Sequence, residues 1–340
     1  MFSILFIQNI IRALKDSIIN TMIGTETISF LKFWGVMPAV FLVSIIYVKM
    51  VKSIKAENIF YIITSAFLIF FAIFAFYLLP NHKLVHLDQE KAKMLVMSYP
   101  NLKWFILLLS NWSFSLFYIM AELWQDVMFA LLFWQFVNNI TNVEQSQRFY
   151  PLFGLFGQTA LYFSGLLLSN LTSINIFFSN LLCLNSDKDI VSGQIILTLT
   201  LFLGSIIFIV FYYLNHNILN ISEKKTLEFI EPEKSISIID SFKLVITSKY
   251  IMLIATLLIC YGIAINLVEG PWKASVTKIY KTPTEFAEFM GGYLKYMGIV
   301  TICFVIIGSN IVRKFGWFAA AMTTPIIVFT TGMLFFSLSN

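Results

Sequence analysis

Arg12, Lys15 and Asp16 interrupt the apolar stretch that opens the chain. On a helix, residues three and four apart share a face, so Arg12 neighbours both Lys15 and Asp16. One acid cannot neutralise two cations, and the trio is left net positive. Phosphate oxygens complement such a site, because arginine offers a planar fork and lysine a point charge. The plainer reading is a helix end whose long side chains reach the headgroups.

Three further clusters place ionisable groups in apolar surroundings, where a charge costs at least about 2.5–3.5 kcal/mol at the bilayer centre. Glu122 and Asp126 stand one helical turn apart, among Trp112, Trp124 and Trp134. Two acids on one face without a basic neighbour indicate an aqueous cavity, an inter-helix ion pair, a proton site, or acids at the membrane interface. In Asn266-Leu-Val-Glu269-Gly270-Pro271-Trp272-Lys273 the glutamate and lysine can pair at i,i+4. Pro271 removes a backbone donor and is expected to loosen that helix end, either as part of a transport site or as an ordinary terminus. Lys295 lies between Gly291-Gly292 and Gly298, small residues that permit close helix packing.

Helices must position these groups. A membrane span needs about 20 mostly apolar residues, and about nine such stretches are present, near 2–22, 29–49, 58–80, 104–138, 149–170, 191–214, 250–272, 287–311 and 316–337. The fourth is too long for one straight span and is either one tilted or kinked helix or two segments. With the N-terminus inside, the inside connectors carry more lysine and arginine than the outside ones, which is the expected bias. The first stretch lacks a basic leader and a small-residue cleavage site, so the chain is expected to open within a spanning helix rather than a signal peptide. The connector 215–249 holds Glu223, Lys224, Lys225, Glu228, Glu231, Glu233 and Lys234. It reads as a solvated cytoplasmic loop between a six-helix bundle, 1–214, and an incomplete bundle of about three helices, 250–340.

Composition agrees. Of 340 residues, 59% are hydrophobic and only 12% charged, against about 25% charged in a typical soluble domain. The 36 phenylalanines suit lipid better than water. The net charge of +5 forms no basic stripe with interleaved aromatics, so nucleic acid is not an expected partner. Cys183, Cys260 and Cys303 are far apart and read as buried free thiols. His82 and His86 share an i,i+4 spacing, but with no evident third ligand a metal is not expected. No phosphate loop, zinc-protease motif or nucleophile elbow is present, so no catalytic residue is assigned and no cofactor is implied.

Several segments, in order along nearly the whole chain, resemble a known family. They are Arg12-Ala-Leu-Lys15-Asp16, Ile23-Gly-Thr-Glu-Thr-Ile-Ser-Phe-Leu-Lys32, Ala121-Glu122-Leu-Trp124, Phe133-Trp-Gln-Phe-Val-Asn-Asn-Ile-Thr141, Arg148-Phe-Tyr-Pro-Leu-Phe-Gly154 and Asn266-Leu-Val-Glu269-Gly270-Pro-Trp-Lys273. They look like the ATP/ADP translocases of obligate intracellular bacteria and plastids, closest to the rickettsial members. The resemblance implies an all-α integral membrane protein of the bacterial inner membrane. It also implies a major-facilitator-like bundle of twelve helices, of which about nine are expected here. The implied activity is exchange of external ATP for internal ADP by alternating access. The family's charged transport residues fall on Lys15, Glu122 and Glu269, with Arg12, Asp16, Asp126 and Lys273 as neighbours. A further lysine of the second half has no counterpart.

Other functions fit the same residues. These are a uniporter or proton symporter for another nucleotide, a membrane-embedded enzyme using Glu122 and Asp126 as metal ligands, and a non-transporting remnant. The lack of histidine in the spans argues against the enzyme. With only about three helices after the central loop, the 340 residues alone are expected not to sustain exchange.

Overall fold

The computed structural model describes residues 1–182, 187–219, 243 and 246–338, and these form helices and no strands. Cys183 and most of the loop 215–249, including its charged residues, lie outside the described residues. The chain forms two compact units, one comprising Met1–Ile207 with Val276–Asn340, the other Phe208–Ser275.

Helix α1, Phe2–Ile18, continues through a π-helical turn, Ile19–Gly24. Its buried stripe Ile4, Ile7, Ile11, Leu14 and Ile18 recurs at alternating three- and four-residue spacing, which keeps one apolar face toward the core. Helices α2 (Thr27–Ser53), α3 (Ala56–Leu78) and α4 (Trp112–Ile140) follow. A break at Asn111, with φ −114° and ψ 43°, separates α4 from the short helix Lys103–Ser110. The long fourth apolar region is therefore two helices, of which only α4 is long enough to span. The Asn111 amide nitrogen turns back onto the Leu107 carbonyl, and Trp112 Nε1 donates to the Val85 carbonyl, so the break is tied to the preceding connector.

Helix α5 (Val143–Leu168) is capped by Asn142 and Gln145, whose side chains exchange bonds with each other's backbone. The short α6 (Leu171–Leu182) and the long α7 (Lys188–Tyr213) come next. Helix α8 (Lys249–Ile279) runs through Pro271 without ending there, which corrects the expectation of a helix end loosened at that residue. The final two expected spans are two helices meeting at a kink at Gly316, whose non-helical φ of 80° suits glycine; together, Pro283–Leu338, they are labelled α9.

Among the described residues six helices are long and apolar enough to cross a membrane: Thr27–Ser53, Ala56–Leu78, Trp112–Ile140, Glu144–Leu168, Lys188–Asn217 and Lys249–Ile279. The protein is an all-α integral membrane protein. Apolar side chains such as Phe33, Phe41, Leu257 and Leu258 face outward, the inverse of a water-soluble surface. Cys260 and Cys303 are likewise exposed rather than buried, since on a lipid-facing helix a small apolar thiol needs no core.

Aromatic packing fixes the depth of α4 against α1 and α3. Phe74 and Phe117 stack with centroids 4.2 Å apart, and Phe67 and Phe71 close around the fully buried Trp124. Trp124 Nε1 donates to the Ile4 carbonyl at 3.2 Å, so the indole is satisfied while its rings fill the interface. Helices α5 and α9 approach unusually closely. A methyl group at Gly291 would lie 2.4 Å from the Ser169 amide nitrogen, and one at Gly165 would lie 2.3 Å from that of Lys295. The small residues flanking Lys295 are thus where two backbones meet.

Candidate functional site

The heptad-like stripe of α1 turns Lys15 and Asp16 into the protein. Their side chains are 3% and 0% exposed, although both are charged. Helix α4 presents Tyr118 and Glu122, one turn apart, to the same point. The Lys15 ammonium donates to Glu122 Oε1 at 2.8 Å and to Asp16 Oδ1 at 3.1 Å. It also sits over the Tyr118 ring, 3.9 Å from the centroid. Two carboxylates and one aromatic face satisfy a cation that would be costly to bury alone.

This arrangement changes the charge balance read from the sequence. Arg12 is exposed, while Lys15 and Asp16 are buried. Glu122, supplied from far along the chain, adds a second acid, so the buried set holds one ammonium against two carboxylates. Lys32 lies within electrostatic reach of Glu122. Asp126 follows one turn later and is exposed.

Irregular helix surrounds the cluster. A π-helical segment begins at Ile19 just after Asp16, another spans Lys32–Val36, and a third runs from Gln125 to Phe133 immediately after Glu122. Such wider turns frequently mark functional sites, because they re-aim side chains and loosen the backbone ladder. Asn20, 5% exposed, donates its amide to the Asp16 carbonyl, while its Oδ1 finds no partner among the described residues. Neither Tyr118 nor Asn20 stands out in the sequence as a site residue. The i,i+4 spacings Tyr118–Glu122 and Asp16–Asn20 were available, but nothing marked a tyrosine or an asparagine in an apolar helix as a partner for Lys15.

The second predicted pair forms in the other compact unit. Lys273 Nζ lies 2.7 Å from Glu269 Oε1 on one face of α8, and the Lys273 side chain is 5% exposed. The pair bridges one helical turn across Pro271, whose ring removes a backbone donor at that level.

His82 and His86 sit in the connector after α3. His82 Nδ1 lies 2.9 Å from the Leu79 carbonyl, and His86 Nε2 lies 2.6 Å from Ser113 Oγ. Partial burial, and secondarily the neighbouring His82, lower the His86 pKa to about 4. Both rings are engaged in holding the connector to Phe114 and Ser113 at the start of α4.

Residues 1–340 match the family described as TLC ATP/ADP transporter. The chain is 62% identical over 340 residues to ADP,ATP carrier protein 4 of Rickettsia prowazekii (strain Madrid E), covering 100% of this chain and 66% of that protein. It is also 62% identical to the protein of that name in Rickettsia bellii (strain RML369-C), covering 65% of its length. ADP,ATP carrier protein 1 of Rickettsia typhi (strain Wilmington) is 42% identical over 344 residues, covering 99% of this chain and 67% of the relative. The chain thus spans about two thirds of the length of these relatives. No solved structure matches it. A match along all 340 residues, joined to the apolar helices and the buried ion-paired cluster on α1 and α4, makes this chain a member of the TLC ATP/ADP transporter family.

Proposed function

We propose that these helices belong to a transporter that exchanges ATP for ADP across the bacterial inner membrane, importing external ATP by alternating access. The observation that carries this reading is the Lys15–Glu122 ion pair, a buried cation held by groups that a phosphate can replace. In the empty protein Glu122 and Asp16 balance the ammonium. An incoming triphosphate offers more negative charge and more acceptor oxygens, and displaces Glu122 from Lys15. The carboxylate released is 22% exposed and has room to find water. Loss of the nucleotide restores the pair, so the empty site is closed electrostatically and net leak is disfavoured. Glu269 and Lys273 supply a second pair of the same kind.

Exchange needs no hydrolysis, since opposing gradients of two nucleotides drive it. In this reading the chemistry is binding and release. The relatives' printed names, ADP,ATP carrier proteins, support the same substrates. In this reading residues 1–214 form one bundle, 215–249 a cytoplasmic loop, and 250–340 belong to the second bundle.

A proton symporter for another nucleotide is the second reading, favoured by the exposed Asp126 one turn from Glu122. Purified protein in liposomes separates the two. Exchange predicts uptake of labelled ATP only when ADP or ATP is inside, with no dependence on an imposed pH gradient. Uptake into nucleotide-free liposomes driven by a proton gradient would replace exchange with symport.

A further inference from the structure

The end of the bundle where α1 finishes carries a set of polar contacts that the Lys15 cluster does not use. Helix α9 opens there with Thr284 and Glu288, one turn apart. Asp189, in the first turn of α7, accepts from the Thr284 amide at 3.0 Å and from its hydroxyl at 2.6 Å. The same hydroxyl lies 3.1 Å from Ser192 Oγ, which accepts from Asn175 Nδ2 at 2.8 Å. Thr172, on α6, donates to Glu288 Oε2 at 2.7 Å. Together these contacts tie α6, α7 and the start of α9 to one another.

Directly beneath this set lies a small cavity. Asp189 and Gly193 of α7, Pro283 at the start of α9, and Leu14 and Ile18 of α1 line it. The cavity thus lies between the polar contacts and the last turn of α1. A helix cap alone would need only Asp189 and the Thr284 amide. The additional Thr172–Glu288 bond, one turn further along α9 and from a different helix, is not a cap. Hydrogen bonds accepted by carboxylates are strong when dry and readily exchanged for water. That is the property of a contact made to open, unlike the apolar stripe of α1.

We propose that Asp189–Thr284 and Thr172–Glu288 form a latch that closes the cavity beside Leu14 and Ile18 at this end of the protein. Under the orientation with the N-terminus inside, this end faces outward, and releasing the latch exposes α1 near Leu14 and Ile18 to the outside. The inference rests on the transport reading for its purpose, but the latch itself is testable without nucleotide.

The test uses the protein in membranes, with Cys183, Cys260 and Cys303 replaced by serine and Ile18→Cys as reporter. An impermeant maleimide is added from outside. Thr284→Ala with Glu288→Ala is expected to speed labelling roughly tenfold, the shift that losing such bonds gives an open–closed equilibrium. In a second variant, Thr172→Cys and Glu288→Cys are joined by a short reducible thiosulfonate bridge. Bridging is expected to slow labelling of the reporter and to stop ATP exchange, and reduction to restore both. Labelling that responds to neither change would overturn the latch, as would undiminished ATP exchange in the bridged protein. Labelling that follows the latch in a protein that exchanges no nucleotide supports the latch and removes the transport reading alone.

Discussion

Lys15 and Glu122 are 107 residues apart in sequence, yet the lysine Nζ lies 2.8 Å from the carboxylate Oε1. Removing the lysine leaves two acids facing each other in a largely buried site, which typically costs about 3–5 kcal/mol for a buried pair. In a full-length version, Lys15→Ala is therefore expected to lower nucleotide exchange by roughly tenfold or more at equal membrane abundance, and Lys15→Arg by much less. Arginine keeps the charge, although its fork fits the site differently. Labelled ATP uptake into ADP-loaded liposomes measures this. Wild-type exchange in Lys15→Ala would remove the phosphate role.

Tyr118 is expected to matter through its ring. The ammonium of Lys15 lies 3.9 Å from the ring centroid, and such contacts contribute about 0.5–1 kcal/mol when exposed and about 2 kcal/mol when desolvated. Tyr118→Phe should retain most of the apparent ATP affinity, while Tyr118→Leu should raise KM several-fold. Equal effects of the two substitutions would assign the role to the hydroxyl instead.

Close backbone contact between α5 and α9 predicts a steric penalty. Gly291→Val places side-chain atoms where Ser169 and Leu168 already stand. Overpacking of this kind typically costs about 1–3 kcal/mol. A clear drop in melting temperature in detergent is expected, whereas Gly292→Ala, with open space at its Cβ, should leave it unchanged.

His86 predicts a pH window. Its pKa is lowered from near 6.5 to about 4, chiefly by burial. The folded protein therefore prefers the neutral ring, while the unfolded chain binds the proton more readily. This contribution to stability is complete above about 6.5 and is lost as pH falls toward 4. Melting temperature should decline between pH 7 and 5, and His86→Gln should decline less steeply. Parallel curves would show that other groups dominate.

Orientation gives a further check. Ser98 is exposed at the end of the helix Gln89–Ser98, in the connector between α3 and α4. Ser98→Cys should react with an impermeant thiol reagent added outside intact cells. Labelling only from the cytoplasmic side would invert the assigned topology.

The amino-acid sequence by itself determined the class of the protein. Charge is so scarce, and apolar runs so long, that the helices need a lipid environment wherever they pack. It also determined the Glu269–Lys273 pair, because i,i+4 proximity is a property of a single helix and needs no partner element. Only the tertiary structure decided what Lys15 touches. Local spacing offered it Arg12 and Asp16, and hence a positive patch, but the buried stripe of α1 and the aromatic packing around Trp124 set α4 at the depth that delivers Glu122 and Tyr118. The break at Asn111 was likewise hidden, since apolar residues continue on both sides and only its bonds to Leu107, together with the anchoring of Trp112 to Val85, locate it. Long-range pairing depends on how helices register against one another, and that register is fixed by packing between faces, which no single stretch of sequence contains.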